Sequence, residues 1–122
     1  SVCLYGGAPR ESQLACLERG VHVVVATPGR LNDFINAGQV ELDEVRYVVL
    51  DEADRMLDMG FEKDVRAIIG MTSAARRTVM FTATWPDSIR ALATEFLRSD
   101  YIRINVGAET LSANHRVAQE VE

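Results

Sequence analysis

Four short apolar runs punctuate the chain, at Val2 to Tyr5, Val23 to Ala26, Tyr47 to Leu50 and Val79 to Phe81. Runs this short, rich in valine and bounded by polar or glycine signals, predict strands buried on both faces. A fifth strand is predicted from Tyr101 to Val106, where apolar and polar residues alternate before Gly107. The segments between carry helical spacing. Leu31, Phe34 and Ile35 fall at i, i+3, i+4, as do Val65, Ile68 and Ile69, and Ile89, Leu92, Ala93, Phe96 and Leu97 extend the pattern by another turn. Leu14 and Leu17 mark one more helix near the start. Strand alternating with helix predicts an α/β layer fold with a mostly parallel sheet. Periodicity weakens from Ala108 to Glu122, so residues 1–107 are expected to form the compact unit and 108–122 a linker.

Composition narrows this picture without changing it. A chain of 122 residues holds one domain or part of one. Apolar residues make up 48% and charged residues 25%, which excludes a disordered tail, a collagen-like repeat and a disulfide-dense scaffold. No run approaches the roughly 20 apolar residues that span a bilayer, so no membrane partner is expected. No basic-then-apolar leader is visible before Ser1, and a serine start fits a chain cut from a longer one. The net charge of −5 means that any nucleic-acid contact must be local. Cys3 and Cys16 lack a CxxC spacing and are expected to be buried reduced thiols, which favours a reducing compartment. His22 and His115 stand far apart with no Cys or His nearby, so no metal cage is expected. Met56, Met59, Met71 and Met80 read as core filling, and Arg76-Arg77 as a solvated pair before a strand.

Each of the first four apolar runs stops at residues able to do chemistry: Gly6-Gly7, Thr27-Pro28-Gly29-Arg30, Asp51-Glu52-Ala53-Asp54 and Thr82-Ala83-Thr84. Ligands of open α/β sheets bind beyond the carboxyl ends of the strands, so parallel neighbours would bring all four clusters to one edge. An aspartate delivered by an apolar strand is what P-loop hydrolases use to hold Mg²⁺, and an adjacent glutamate can take a proton from an attacking water. The structural alternative is a polar strand end that caps the helix starting near Asp54. Thr27 is a good N-cap and Pro28 suits the first helical position, so free N–H groups and the Arg30 charge could meet a phosphodiester. A plain capped helix with a solvated Arg30 remains the alternative. Gly6-Gly7 permits close backbone approach or simply a tight turn. Thr82 and Thr84 offer hydroxyls to carboxylates of a neighbouring strand end, and Trp85 suits packing at a strand-helix corner better than stacking.

Taken in order, these residues resemble the DEAD-box family of ATP-dependent RNA helicases. The run from Val48 to Phe61, VVLDEADRMLDMGF, is far more specific than its tetrad. Gly6-Gly7 is similar to the family's GG motif, Thr27 to Arg30 to its TPGR motif and Thr82 to Thr84 to its SAT motif, with Thr82 in place of the serine. Thr84-Trp85-Pro86 and Ala113-Asn114-His115 look most like the subgroup tied to ribosome biogenesis.

The resemblance implies a partial RecA-like, P-loop NTPase-type three-layer domain, with ATP and Mg²⁺ as cofactors and RNA as partner, protein cofactors being admitted as well. It implies that Asp51 holds Mg²⁺ through water and that Glu52 activates the hydrolytic water, with Asp51, Glu52 and Asp54 facing the nucleotide. Asp54, Thr82 and Thr84 would couple hydrolysis to RNA, and Gly6, Gly7, Thr27, Gly29 and Arg30 would grip the RNA backbone with little sequence preference. The 2′-hydroxyl would separate RNA from DNA. Nucleus or nucleolus is the implied location, with cytoplasm as the alternative.

One departure is serious. No G-x-x-x-x-G-K-[ST] phosphate loop occurs in the chain, nor the family's Q motif, nor a second RecA-like domain beyond 108–122. The chain is therefore expected to be the C-terminal part of a first RecA-like domain, with an open sheet edge, exposed apolar faces and no ATPase activity on its own. A non-catalytic helicase-like module that binds RNA or protein, and an ATPase of the same superfamily acting on DNA, are the rival readings.

Overall fold

The computed structural model describes residues 1–107. The proposed linker at 108–122, and with it Ala113-Asn114-His115, lies outside the described residues.

The chain alternates strand and helix as its patterning requires. Strand β1 (Val2–Leu4) leads to α1 (Arg10–Leu17), and β2 (Val24–Ala26) to α2 (Pro28–Asn36). Strand β3 (Tyr47–Leu50) leads to α3 (Ala53–Asp58) and α4 (Glu62–Gly70), and β4 (Arg77–Met80) to α5 (Asp87–Phe96). Pro28 opens α2 because its missing N–H costs nothing at a first helical turn. Helix α3 stops at the sequence Met59-Gly60, where Gly60 takes a φ of 79° that a side chain would resist.

Among the described residues strand pairing is parallel, as expected for an α/β chain, but the strands form two separate pairs rather than one sheet. β1 pairs with β2 in the register Val2 to Val24 and Leu4 to Ala26. β3 pairs with β4 in the register Tyr47 to Arg77 and Leu50 to Met80. Arg77 thus begins β4 instead of preceding it, and Arg76 is partly buried instead of solvated.

Each pair has its own core. Leu4 and Phe34 are fully buried and gather Val2, Leu14, Leu17, Ala26 and Leu31 around them. Leu50, Ala53, Val65, Ile69, Ile89, Leu92 and Phe96 form the second core, flanked by Val48, Met80 and Trp85. Trp85 therefore packs at its strand-helix corner, as its position predicts, with Arg103 4.7 Å over the ring.

The expectation of strands buried on both faces is not met. Helices cover one face of each pair, while Val23, Val25, Tyr47, Val49, Val79 and Phe81 stay more than two-fifths exposed. Residues 101–106 form no strand, because no strand among the described residues pairs with them, and Ile102, Ile104 and Val106 are exposed. Cys3 is exposed on the outer side of β1 and Cys16 is half-buried, so neither is the buried thiol expected. Met59 and Met71 are exposed as well, which leaves only Met56 and Met80 packing on a core.

Candidate functional site

The strand registers decide which chemistry meets which. The four polar clusters sort into two pairs, Gly6-Gly7 beside Thr27-Arg30 and Asp51-Asp54 beside Thr82-Thr84, because among the described residues no ladder joins the two sheets.

At the first pair, the Thr27 N–H donates to the Leu4 carbonyl at 2.9 Å, closing β1 against the start of α2. Thr27 holds the N-cap position without a side-chain cap bond, so its hydroxyl is not committed to the helix. Arg30 is not the solvated cation of the structural alternative. Its side chain is only 14% exposed, 3.8 Å from Asp33, and its guanidinium donates to the Ala8 carbonyl at 3.3 Å. It therefore braces the glycine turn against α2. Gly7 has a φ of 80°, and a side-chain carbon there would meet nothing within 4 Å. The glycine is thus required by the turn's left-handed backbone, and the space above it is open.

Two residues important to this turn carried no sequence signal used above. Gln13 is buried and clamps Tyr5 from both sides, accepting from its N–H at 3.2 Å and donating to its carbonyl at 3.0 Å. Arg10 lies 4.5 Å over the Phe34 ring and hydrogen-bonds Gln39. An isolated polar residue in the apolar stripe of α1 was the available signal for Gln13.

At the second pair, the Phe81 N–H donates to the Leu50 carbonyl at 2.8 Å, and the Ala53 N–H donates to the Phe81 carbonyl at 3.0 Å. These bonds hold the acidic tetrad beside Thr82-Ala83-Thr84. Asp54 Oδ2 accepts from both the Thr84 N–H and the Thr84 hydroxyl, each at 2.9 Å. Partial burial pushes the Asp54 carboxyl up, but hydrogen bonds from the Thr84 hydroxyl and from the Arg55 and Thr84 backbone outweigh it and hold the group below its ordinary 3.8. Thr82 does not reach a carboxylate; its hydroxyl donates to the Thr84 carbonyl at 3.0 Å and shapes the turn.

The tetrad does not cap α3. No side-chain cap bond is made at its N-terminus, and Glu52 sits there in the left-handed region at φ 50° and ψ 51°. A non-glycine residue held so costs about 1–3 kcal/mol and is typical of strained functional positions. Asp51 Oδ1 accepts the Glu52 N–H at 3.0 Å, and both side chains are exposed beyond the strand end. Arg55 stands 3.7 Å from the Glu52 carboxylate in a solvent-exposed pair.

Among the described residues no three acidic, His or Cys side chains converge to cage an ion. The exposed Asp51 carboxylate is instead suited to Mg²⁺, which keeps several waters and needs only one or two protein carboxylates when phosphates supply the rest.

Parallel strand pairs under helices, each ending in a loop that carries the functional side chains, define a RecA-like α/β domain. The chain belongs to the DEAD/DEAH box helicase family, whose model matches residues 1–92. It is 54% identical over all 122 residues to the ATP-dependent RNA helicase DBP2 of Gibberella zeae, spanning 22% of that protein. It is 53% identical over the same length to the DEAD-box ATP-dependent RNA helicase 5 of Oryza sativa subsp. japonica, spanning 24% of it. The chain thus covers about a quarter or less of these relatives. Among solved structures, a DEAD box protein from Methanococcus jannaschii superposes with a TM-score of 0.76 at 42% identity, over 83% of this chain and 27% of that one. A hypothetical ATP-dependent RNA helicase from Sulfolobus tokodaii gives 0.75 at 38% identity, over 83% and 30%.

Proposed function

We propose that this chain is the part of an ATP-dependent RNA helicase in which RNA contact meets the hydrolytic strand end, and that the full-length protein couples ATP hydrolysis to RNA binding and remodelling. The carrying observation is the double hydrogen bond from Thr84 to Asp54, which locks the ends of β3 and β4 together directly beside Asp51 and Glu52. The similar proteins of Gibberella zeae and Oryza sativa are ATP-dependent RNA helicases, which supports the substrate pair.

In this reading Asp51 would hold Mg²⁺ through water, and the ion would supply charge neutralisation at the phosphates. The Glu52 carboxylate, displayed into solvent by its left-handed backbone, orients and deprotonates the attacking water. Asp54, Thr82 and Thr84 transmit RNA occupancy to that edge. On the other side, the open turn at Gly6-Gly7 and the start of α2 at Thr27, Gly29 and Arg30 receive the sugar-phosphate backbone. Arg30 supplies its charge from beneath the turn rather than as a free arm. Contacts of this kind position RNA without reading its bases. The phosphate-cradling loop is not encoded in these residues, so the isolated chain is expected to show no turnover. Residues 1–107 are assigned to the nucleotide-binding domain and 108–122 to a linker. Placement in the ribosome-biogenesis subgroup, and in the nucleus or nucleolus instead of the cytoplasm, rests on the resemblance carried by Thr84-Trp85-Pro86 and Ala113-Asn114-His115.

RNA-stimulated ATP hydrolysis by the full-length protein, beside its Glu52→Gln variant, tests the reading. Glutamine keeps the shape and loses the base, so folding and RNA binding should survive while turnover fails. A well-folded full-length protein that binds RNA but never hydrolyses ATP would move the assignment to a non-catalytic RNA-binding module.

A further inference from the structure

The two halves of the chain have separate sheets and separate cores, so RNA contact in one can bear on hydrolysis in the other only through what joins them. The most extensive packing between their elements is α2 against α4. One side-chain hydrogen bond crosses this packing, and a close approach of Gly29 to Phe61 lies beside it. Asn32 on α2 donates its side-chain amide to Asp64 Oδ1, in the first turn of α4, at 2.7 Å in a partly buried setting. Three residues earlier, a side-chain carbon on Gly29 would lie 3.9 Å from the Phe61 ring.

Both ends of this seam are anchored to the functional clusters. Phe61 packs on the second core, and its N–H donates to the Met56 carbonyl of α3 at 3.0 Å. On the other helix, Asn32 lies two positions beyond Arg30, which braces the Gly6-Gly7 turn through Ala8. The seam therefore sits between the two sites: α2 carries Arg30, which holds the RNA-facing turn, and Phe61 at the start of α4 is bonded to the helix that carries Asp54.

We propose that Asn32 and Asp64 are positioning residues for RNA-dependent hydrolysis: their hydrogen bond fixes the RNA-facing start of α2 relative to the acidic strand end. This rests on the function proposed above. The bond joins an amide to a carboxylate at a part-buried site, and a carboxylate acceptor makes a hydrogen bond stronger than a neutral one does. Neither residue touches RNA or the reacting atoms in this scheme, so breaking the bond should loosen the link between the sites and leave each site in place.

The test uses the full-length protein with Asn32→Leu, with Asp64→Leu and with the exchange Asn32→Asp/Asp64→Asn, which rebuilds the bond with donor and acceptor reversed. The readout is the ratio of RNA affinities with and without a non-hydrolysable ATP analogue, alongside ATPase rates with and without RNA and thermal midpoints. Either single variant should lower the affinity ratio and the RNA stimulation by about fivefold, the low end of ordinary coupling between sites. Basal ATPase should hold, and the exchange should restore the ratio. A ratio unchanged in a folded single variant would overturn the proposal, as would an exchange variant that folds yet fails to restore it. Absence of any RNA stimulation in the unsubstituted protein would instead overturn the functional reading on which the proposal stands.

Discussion

The half built on β1 and β2 and the half built on β3 and β4 use the same device to different ends. In each, a parallel pair under helices delivers two loops to one end, and one hydrogen-bonded brace ties the loops together. The brace in the first half is Arg30 to the Ala8 carbonyl, with Gln13 clamping Tyr5 below the turn. That leaves backbone and open space on display, which suits a partner recognised by its phosphates and sugars. The brace in the second half is Asp54 to Thr84, and it leaves on display the carboxylates of Asp51 and of Glu52, the latter on a strained backbone. The difference lies in what is buried: the first half hides its cation and shows backbone, and the second ties down one carboxylate and shows two.

If the halves are distinct in stability as well as in chemistry, the sharpest way to break the comparison is at their cores. Phe34→Ala removes a fully buried ring from the first core and should cost about 3–5 kcal/mol. Peptide-level hydrogen exchange should then lose protection across β1, β2 and α2 well before β3, β4 and α5, with Ile89→Ala giving the reverse order. Simultaneous loss everywhere would show one cooperative unit and erase the distinction.

A smaller effect should separate the two braces by pH. The Asp54 carboxyl is lower in the folded chain than its ordinary 3.8, so its bonds to Thr84 stabilise the fold above that pH and fade as pH falls through the lowered folded value. Asp54→Asn should therefore cost about 1 kcal/mol in neutral denaturant titrations, given its exposure to solvent. That cost should shrink toward zero in acid. The Arg30 brace donates to a backbone carbonyl and should show no such acid dependence; a cost for Asp54→Asn that is constant with pH would remove the contrast.

The smallest effect concerns strain. Glu52→Gly relieves a left-handed backbone worth roughly 1–2 kcal/mol while adding about 0.5–1 kcal/mol of unfolded-chain freedom, so stability should rise slightly, by about 0.5 kcal/mol. Turnover of the full-length protein should vanish in the same variant. A clear drop in the urea midpoint for Glu52→Gly would mean that Glu52 is held by contacts rather than strained against them.

Much of this molecule was legible from residue order alone. The i, i+3, i+4 spacing of Ile89, Leu92 and Phe96 placed α5, and valine runs placed the strands, because local periodicity is a property of the chain itself. The acidic and threonine clusters were equally legible, since a polar group straight after an apolar strand must lie at a sheet edge. What residue order could not decide was partnership. Whether the valines of β3 and β4 meet helices on one face or two depends on what packs there, and Val49 and Val79 face outward. The alternation at 101–106 needs a neighbouring strand before it becomes one. Arg30 turning under Ala8, Thr84 rather than Thr82 meeting Asp54, and Asn32 reaching Asp64 across 32 residues are all set by distances between segments remote in sequence. Periodicity fixes which face of an element is apolar; only the packed chain determines what each polar atom finds within reach.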